Sequence, residues 1–173
     1  MTIEPQQLAE QGKKAFAAKK FDQAATTFME AATAYEGLDD LLNAAEMKNN
    51  LSVALLQAGK AEEAYKATAG TEEVFARAGD LKRQAMAFGN QAAALEALKK
   101  VDEALEAYER SAALFAEVGE GDMRSMVLQS AAALKLKRGK MMDSALSMIG
   151  SVESTQKPNL IQRFLKFLLR IKP

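Results

Sequence analysis

Gly79-Asp80-Leu81-Lys82-Arg83-Gln84-Ala85-Met86-Ala87-Phe88-Gly89-Asn90 opens a stretch that runs to Glu120 and recurs through the chain. An alanine-rich run to Leu98 is followed by Lys99-Lys100, then by a second run from Val101 to Val118. Shifted by forty residues, Tyr108 and Phe115 fall on Thr68 and Phe75, and one repeat further up on Phe28 and Tyr35. Ala104 falls on Ala64 and Ala24, and on Ser144 downstream; Asn90 falls on Asn50. Lys20, Lys60, Lys100 and Lys140 keep strict step. A fixed period of this size marks a stacked-repeat architecture, in which each unit hides its apolar face only against its neighbours. The repeats cover about 1–40, 41–80, 81–120 and 121–156, and residues 157–173 follow them.

The chain has 173 residues, enough for one domain with a substantial core. Its three prolines stand at 5, 158 and 173, so none interrupts a helix between Gln6 and Lys157. Alanine, leucine, glutamate, lysine and glutamine dominate, and these are strong helix formers. With no cysteine there is no disulfide or thiolate chemistry, and with no histidine the commonest general base and metal ligand is missing. Twenty-three basic residues balance twenty-three acidic ones, which argues against a nucleic-acid partner. The balance is uneven along the chain: residues 157–173 carry +5 with no acid, leaving −5 on residues 1–156. The N-terminus lacks a basic-then-apolar signal segment, and no apolar run approaches the roughly 20 residues that span a bilayer. A cytoplasmic protein without cofactor is expected.

Each repeat reads as two helices. The expected pairs are residues 5–18 with Phe21–Gly37, Leu41–Ala58 with Ala61–Ala78, the two runs quoted above, and Asp122–Lys137 with Met141–Val152. Arg138-Gly139-Lys140 is the expected break in the last pair, and glycines at 59, 79, 119 and 139 stand where a helix must stop. Gly70 and Gly150 fall inside expected second helices; a kink or early end is expected near Gly150 and only a local weakness at Gly70. Gly12, Ser52, Ala92 and Ala132 on first helices recur twelve residues before Ala24, Ala64, Ala104 and Ser144 on second ones. Small residues facing each other let two backbones approach, and Leu51, Leu55, Phe75, Leu95, Tyr108, Phe115 and Leu128 then fill the layers between.

This pattern of small residues, with an aromatic four positions after the alanine (Phe28, Tyr108) and another seven further on (Tyr35, Phe75, Phe115), resembles the tetratricopeptide repeat. The usual repeat of that family is shorter, at about 34 residues, and ends on a proline that is missing here. The longer unit, with Gly79-Asp80 before Gly89-Asn90, resembles those of Pins-type polarity adaptors and kinesin light chains. The alanine-rich pairs are similar, less closely, to the soluble NSF attachment proteins. The resemblance covers residues 5–153 and implies a right-handed α-solenoid of four helical hairpins, with the C-terminal helix as a ninth helix.

In that family first helices line a concave groove. The resemblance thereby implies groove positions at Ala9, Glu10, Lys13, Glu46, Asn49, Asn50, Val53, Met86, Gly89, Asn90, Ala93, Met126, Gln129, Ser130 and Ala133. An asparagine amide donates and accepts at once, so it can pair with the main chain of an extended peptide. The cationic clamp that chaperone-binding members use on a carboxylate is not matched here, because only the central Asn is present. The implied function is a non-catalytic adaptor that holds a peptide or helix of another protein.

From Pro158 onward, Leu160, Ile161, Phe164, Leu165 and Leu168 lie on a broad apolar arc, with Arg163, Lys166 and Arg170 on the other side. Such a helix caps the end of a solenoid, packing near Met141, Ala145 and Met148, or it binds elsewhere. An anionic membrane surface or a second copy of the chain would then be its partner, and the protein a membrane-peripheral or self-associating structural one. Five of the nine methionines fall in repeat four, as expected of a terminal repeat filled with adaptable side chains.

Overall fold

The computed structural model describes residues 4–153, and these form eight helices with no strand among them. In order they are α1 (Pro5–Ala17), α2 (Phe21–Gly37), α3 (Leu41–Gln57), α4 (Ala61–Ala67), α5 (Thr71–Arg77), α6 (Leu81–Ala97), α7 (Val101–Glu117) and α8 (Gly121–Glu153). Backbone contacts divide the chain into two compact units, Met1–Leu134 and Lys135–Pro173. The first holds three helical hairpins, α1 with α2, α3 with α4 and α5, and α6 with α7, each packed on the next, together with α8 up to Leu134. This is the expected all-α solenoid of helical hairpins.

The helix ends explain the period. Backbone angles turn left-handed at Lys19, Asp39, Gly59, Gly79, Lys99 and Gly119, once every twenty residues. The next residue then donates its N–H five positions back, from Lys20 to Ala15, Asp40 to Tyr35, Lys60 to Leu55, Asp80 to Phe75, Lys100 to Leu95 and Glu120 to Phe115, at 2.9–3.0 Å. These bonds satisfy carbonyls that a helix end would otherwise leave open. Asp40 and Asp80 at once begin the following helices, accepting from the N–H of Asn43 (3.1 Å) and Arg83 (2.9 Å). Two adjacent residues therefore end one helix and start the next.

In the first three repeats the small-residue register is as expected. Gly12, Ser52 and Ala92 are buried, and their expected counterparts Ala24, Ala64 and Ala104 have no exposed surface. A methyl group on Gly12 would stand 2.7 Å from the Phe28 ring, which explains why this position has no side chain. Phe75, Phe115, Leu55, Leu95 and Tyr108 are buried between the layers, and Leu51 is partly so.

Two expectations are corrected. The second helix of repeat two is not continuous: Gly70 turns left-handed (φ 74°) and separates α4 from α5. The matching positions, Glu30 and Arg110, are ordinary helix. Here the Thr68 hydroxyl donates to the Tyr65 carbonyl (2.7 Å) and the Thr71 hydroxyl to the Thr68 carbonyl (2.9 Å), so side chains satisfy the backbone that the break frees. In repeat four the expected break at Arg138-Gly139-Lys140 is absent, and α8 also passes through Gly150 to Glu153. Lys135 occupies the position where Leu55 and Leu95 bury themselves beneath their helix ends, and it is exposed. Met142 replaces the acid (Asp22, Glu62 or Asp102) that favours a helix N-terminus in the other repeats. Without an apolar anchor or an N-terminal acid, the glycine alone does not stop the helix. Ala132 and Leu128, expected in the packing layers, are exposed, while Ala131 and Leu134 pack with Leu105 and Tyr108.

Candidate functional site

First helices meet the aromatic residues of second helices in two clefts. One, about 190 Å³, is lined by Lys13 and Phe16 of α1, Phe28 of α2, and Asn50 and Val53 of α3. The other, about 220 Å³, is lined by Met86, Gly89, Asn90 and Ala93 of α6, Tyr108 and Phe115 of α7, and Met123, Met126, Val127 and Ser130 of α8. They are the same place two repeats apart: Lys13, Phe28 and Asn50 in the first correspond to Ala93, Tyr108 and Ser130 in the second.

The expected groove residues separate into three groups. Lys13, Asn50 and Val53 come together in the first cleft; Met86, Asn90, Ala93 and Met126 come together in the second. Met86 and Met126 are 40% and 62% exposed, so both thioethers are open to a partner. Asn50 and Asn90 are half-buried, and neither amide makes a hydrogen bond among the described residues. Glu46 is bound within the chain: Arg83 Nη1 donates to it at 3.0 Å, while Arg83 Nε donates to Asp80 at 2.6 Å and the guanidinium lies over the Phe75 ring. Gln129 is exposed on α8 and lines neither cleft.

Asn49 is a correction. It is buried on another face of α3, its amide oxygen 3.1 Å from the Thr71 hydroxyl, whose one proton it shares with the Thr68 carbonyl, and it ties α3 to the start of α5. Adjacent residues on a helix stand about 100° apart, so Asn49 and Asn50 cannot both face one cleft. The C-terminal set Leu160, Ile161, Phe164, Leu165 and Leu168 lies outside the described residues.

The charges around the clefts are paired. Lys13 Nζ donates to Glu10 at 2.8 Å; that bond raises the lysine pKa and lowers the glutamate's. The buried Tyr108 hydroxyl donates to Glu96 at 3.0 Å; desolvation first, then that carboxylate, pushes the phenol well above its usual range. The phenol therefore stays protonated and serves as a donor. Among the described residues no cluster of three or more His, Cys, Asp or Glu could hold a metal ion, and no helix is long and apolar enough to cross a membrane.

Of the aromatic floor of the clefts, Tyr108 and Phe115 are expected as filling between repeats and Phe28 as part of the aromatic repeat pattern. The signal was present in its period, because the aromatic positions that pack a repeat also form the base of the cleft above them. A larger cavity of about 410 Å³ lies between α2, α3 and α4, with Met29 and Leu51 in its wall and the Asp22–Lys60 ion pair (2.9 Å) at its edge. Nothing in the sequence pattern marked it.

A family model described as SNAP, soluble NSF attachment protein, matches residues 6–164. No curated protein matches the chain. The match supports the helical-repeat likeness, and within it the attachment proteins rather than the finer resemblance to Pins-type adaptors or kinesin light chains. With paired helices at a forty-residue period and a match over most of its length, the chain belongs to the SNAP family, whose members are non-catalytic, helical protein-interaction adaptors.

Proposed function

We propose that this chain is an adaptor that holds a peptide or helix of a partner protein along its first-helix face. Its polar anchors would be Asn50 and Asn90, and its apolar contacts Met86 and Met126. The observation that carries this reading is Asn90: a half-buried amide without a partner among the described residues, in one cleft with two exposed methionines, Tyr108 and Phe115. Asn is a mediocre helix former, so its recurrence at one face position costs helix stability and calls for a compensating role. The methionines add contact that adapts to the shape of an apolar side chain. The family name describes attachment to NSF, itself a protein partner, which agrees with a protein rather than a small molecule as occupant.

The first cleft has the ion-paired Lys13 in its lining, and the second has three methionines, Met86, Met123 and Met126. A partner segment that sets apolar side chains over both aromatic floors, and main-chain groups beside Asn50 and Asn90, fits both. The test is a pull-down with the full chain against an Asn50→Ala, Asn90→Ala, Met126→Glu variant. Partners retained by the parent should be lost by the variant, while the thermal midpoints stay close. Equal retention by both proteins would place the binding surface elsewhere.

A further inference from the structure

The hollow of about 410 Å³ between α2, α3 and α4 shares no lining residue with either cleft. Ala25 and Met29 of α2 line it together with Leu51 and Leu55 of α3. On its edge Lys60 Nζ stands 2.9 Å from the Asp22 carboxylate.

The later repeats show what is missing from it. One period on, Ala25 becomes Tyr65, and two periods on it becomes Leu105. Leu105 is buried and packs with Ala131, which stands two periods after Leu51. Tyr65 is half-buried and packs on the cluster that holds Leu95, the counterpart of Leu55. The hollow left at the matching place is about 180 Å³, and neither Tyr65 nor Leu95 lines it. A large side chain therefore fills this position in the second and third repeats, whereas the first has only a methyl group. The lysine differs accordingly. Lys100 lies over the Tyr65 ring, Nζ 5.6 Å from its centroid, with a 3.6 Å contact to Glu103. Lys60, its counterpart, has no ring to cover and pairs with Asp22.

Independently of the groove, we propose that this hollow is a docking site for an aromatic side chain carried by a segment of a partner protein. Charge complementarity favours a ring over an aliphatic chain, because the negative face of a ring attracts the Lys60 ammonium. The exposed pair with Asp22 is worth little, so the lysine is free to turn to a ring. Met29 adds a polarizable thioether suited to a ring edge. The Tyr65 hydroxyl makes no hydrogen bond among the described residues, so phenylalanine serves as well as tyrosine. Met29 is 53% exposed, which leaves the hollow open to a side chain standing on another protein's surface.

The test reads the methyl NMR signals of Met29, Leu51 and Leu55 in the full chain. The probes are acetyl-Gly-Phe-Gly-amide, the same peptide with cyclohexylalanine, and toluene. In the parent the phenylalanine peptide should shift all of these signals saturably at about millimolar concentration, and the cyclohexylalanine peptide should bind about threefold more weakly. Ala25→Tyr places the residue of the second repeat in the hollow. It should raise the thermal midpoint by about 2–4 °C and abolish the shifts. Lys60→Gln leaves the hollow open and should bind both peptides alike. Absence of saturable shifts in the parent, or their persistence in a cooperatively melting Ala25→Tyr, overturns the proposal. Equal affinity of the parent for the two peptides overturns it in favour of any apolar side chain. Saturation by toluene but by neither peptide overturns it in favour of a free small molecule.

Discussion

Two neighbouring asparagines show how much one residue step decides. Asn49 is buried against Thr71, whereas Asn50 looks into a cleft. Asn49→Ala should cost about 1–2 kcal/mol, because it removes a buried hydrogen bond and leaves a small void. Asn50→Ala should leave stability within about 0.5 kcal/mol. Urea unfolding of the two variants separates them, and equal losses would mean that both amides are structural. Asp80 offers a test by pH. The Arg83 N–H that it accepts, aided by the Arg83 guanidinium against a smaller opposing desolvation, holds its carboxyl below the usual range. A depressed folded pKa means that the stabilisation is complete above the unfolded pKa and is lost as pH falls through the folded one. Asp80→Ala should cost about 1 kcal/mol at neutral pH through loss of the cap. Asp80→Asn keeps an acceptor but not the charge, so its deficit relative to the parent should shrink as pH drops below about 4. A deficit that stays constant from neutral pH to pH 3 would contradict the ionic part of this account.

At the scale of the helix, the sequence was most legible where local chemistry and packing agree. Glycines at 59, 79 and 119 end helices as read, and the apolar residues beneath those ends, Leu55, Phe75 and Phe115, are buried. Lys19, Asp39 and Lys99 adopt the same left-handed geometry without being glycine, and residue type alone did not show this. It follows from position: the fold demands a turn every twenty residues and imposes the conformation on whatever stands there. Lys99→Gly should therefore raise stability by about 1 kcal/mol, whereas in a helix interior the same change would lower it. Gly70 gives the reverse sign. If it lay in a continuous helix, Gly70→Ala would stabilise by about 1 kcal/mol. With its φ at 74°, the change should instead destabilise by about that amount. Thermal melts of the two variants decide both points. Repeat four failed the opposite way, because Gly139 is a stop signal without its anchor: Lys135 and Met142 replaced the residues that make the other stops work.

For the molecule as a whole, a forty-residue period was enough to establish class, pairing and three of the hairpins, since stacked repeats depend on nearest neighbours alone. The clefts were legible only in part. Periodicity says which positions share a face, but not which pairs of side chains satisfy each other, so the Arg83–Glu46 bond and the burial of Asn49 stayed hidden. The same nearest-neighbour logic gives a prediction for the first unit. Its last hairpin, α6 with α7, leaves Leu105 and Tyr108 to be covered by Val127, Ala131 and Leu134 of α8. A fragment ending at Glu120 would expose that face, while one ending at Leu134 keeps it covered. Burial of these three side chains contributes roughly 2–5 kcal/mol on transfer values. The 1–120 fragment should accordingly melt well below the 1–134 fragment, and it should bind a hydrophobic dye that the longer one does not. Asn50 provides the internal control, for its cleft is built by α1, α2 and α3 and stays complete in both fragments. If the two fragments melt together, the start of α8 contributes nothing to the core, and the second cleft loses the wall that makes it a site.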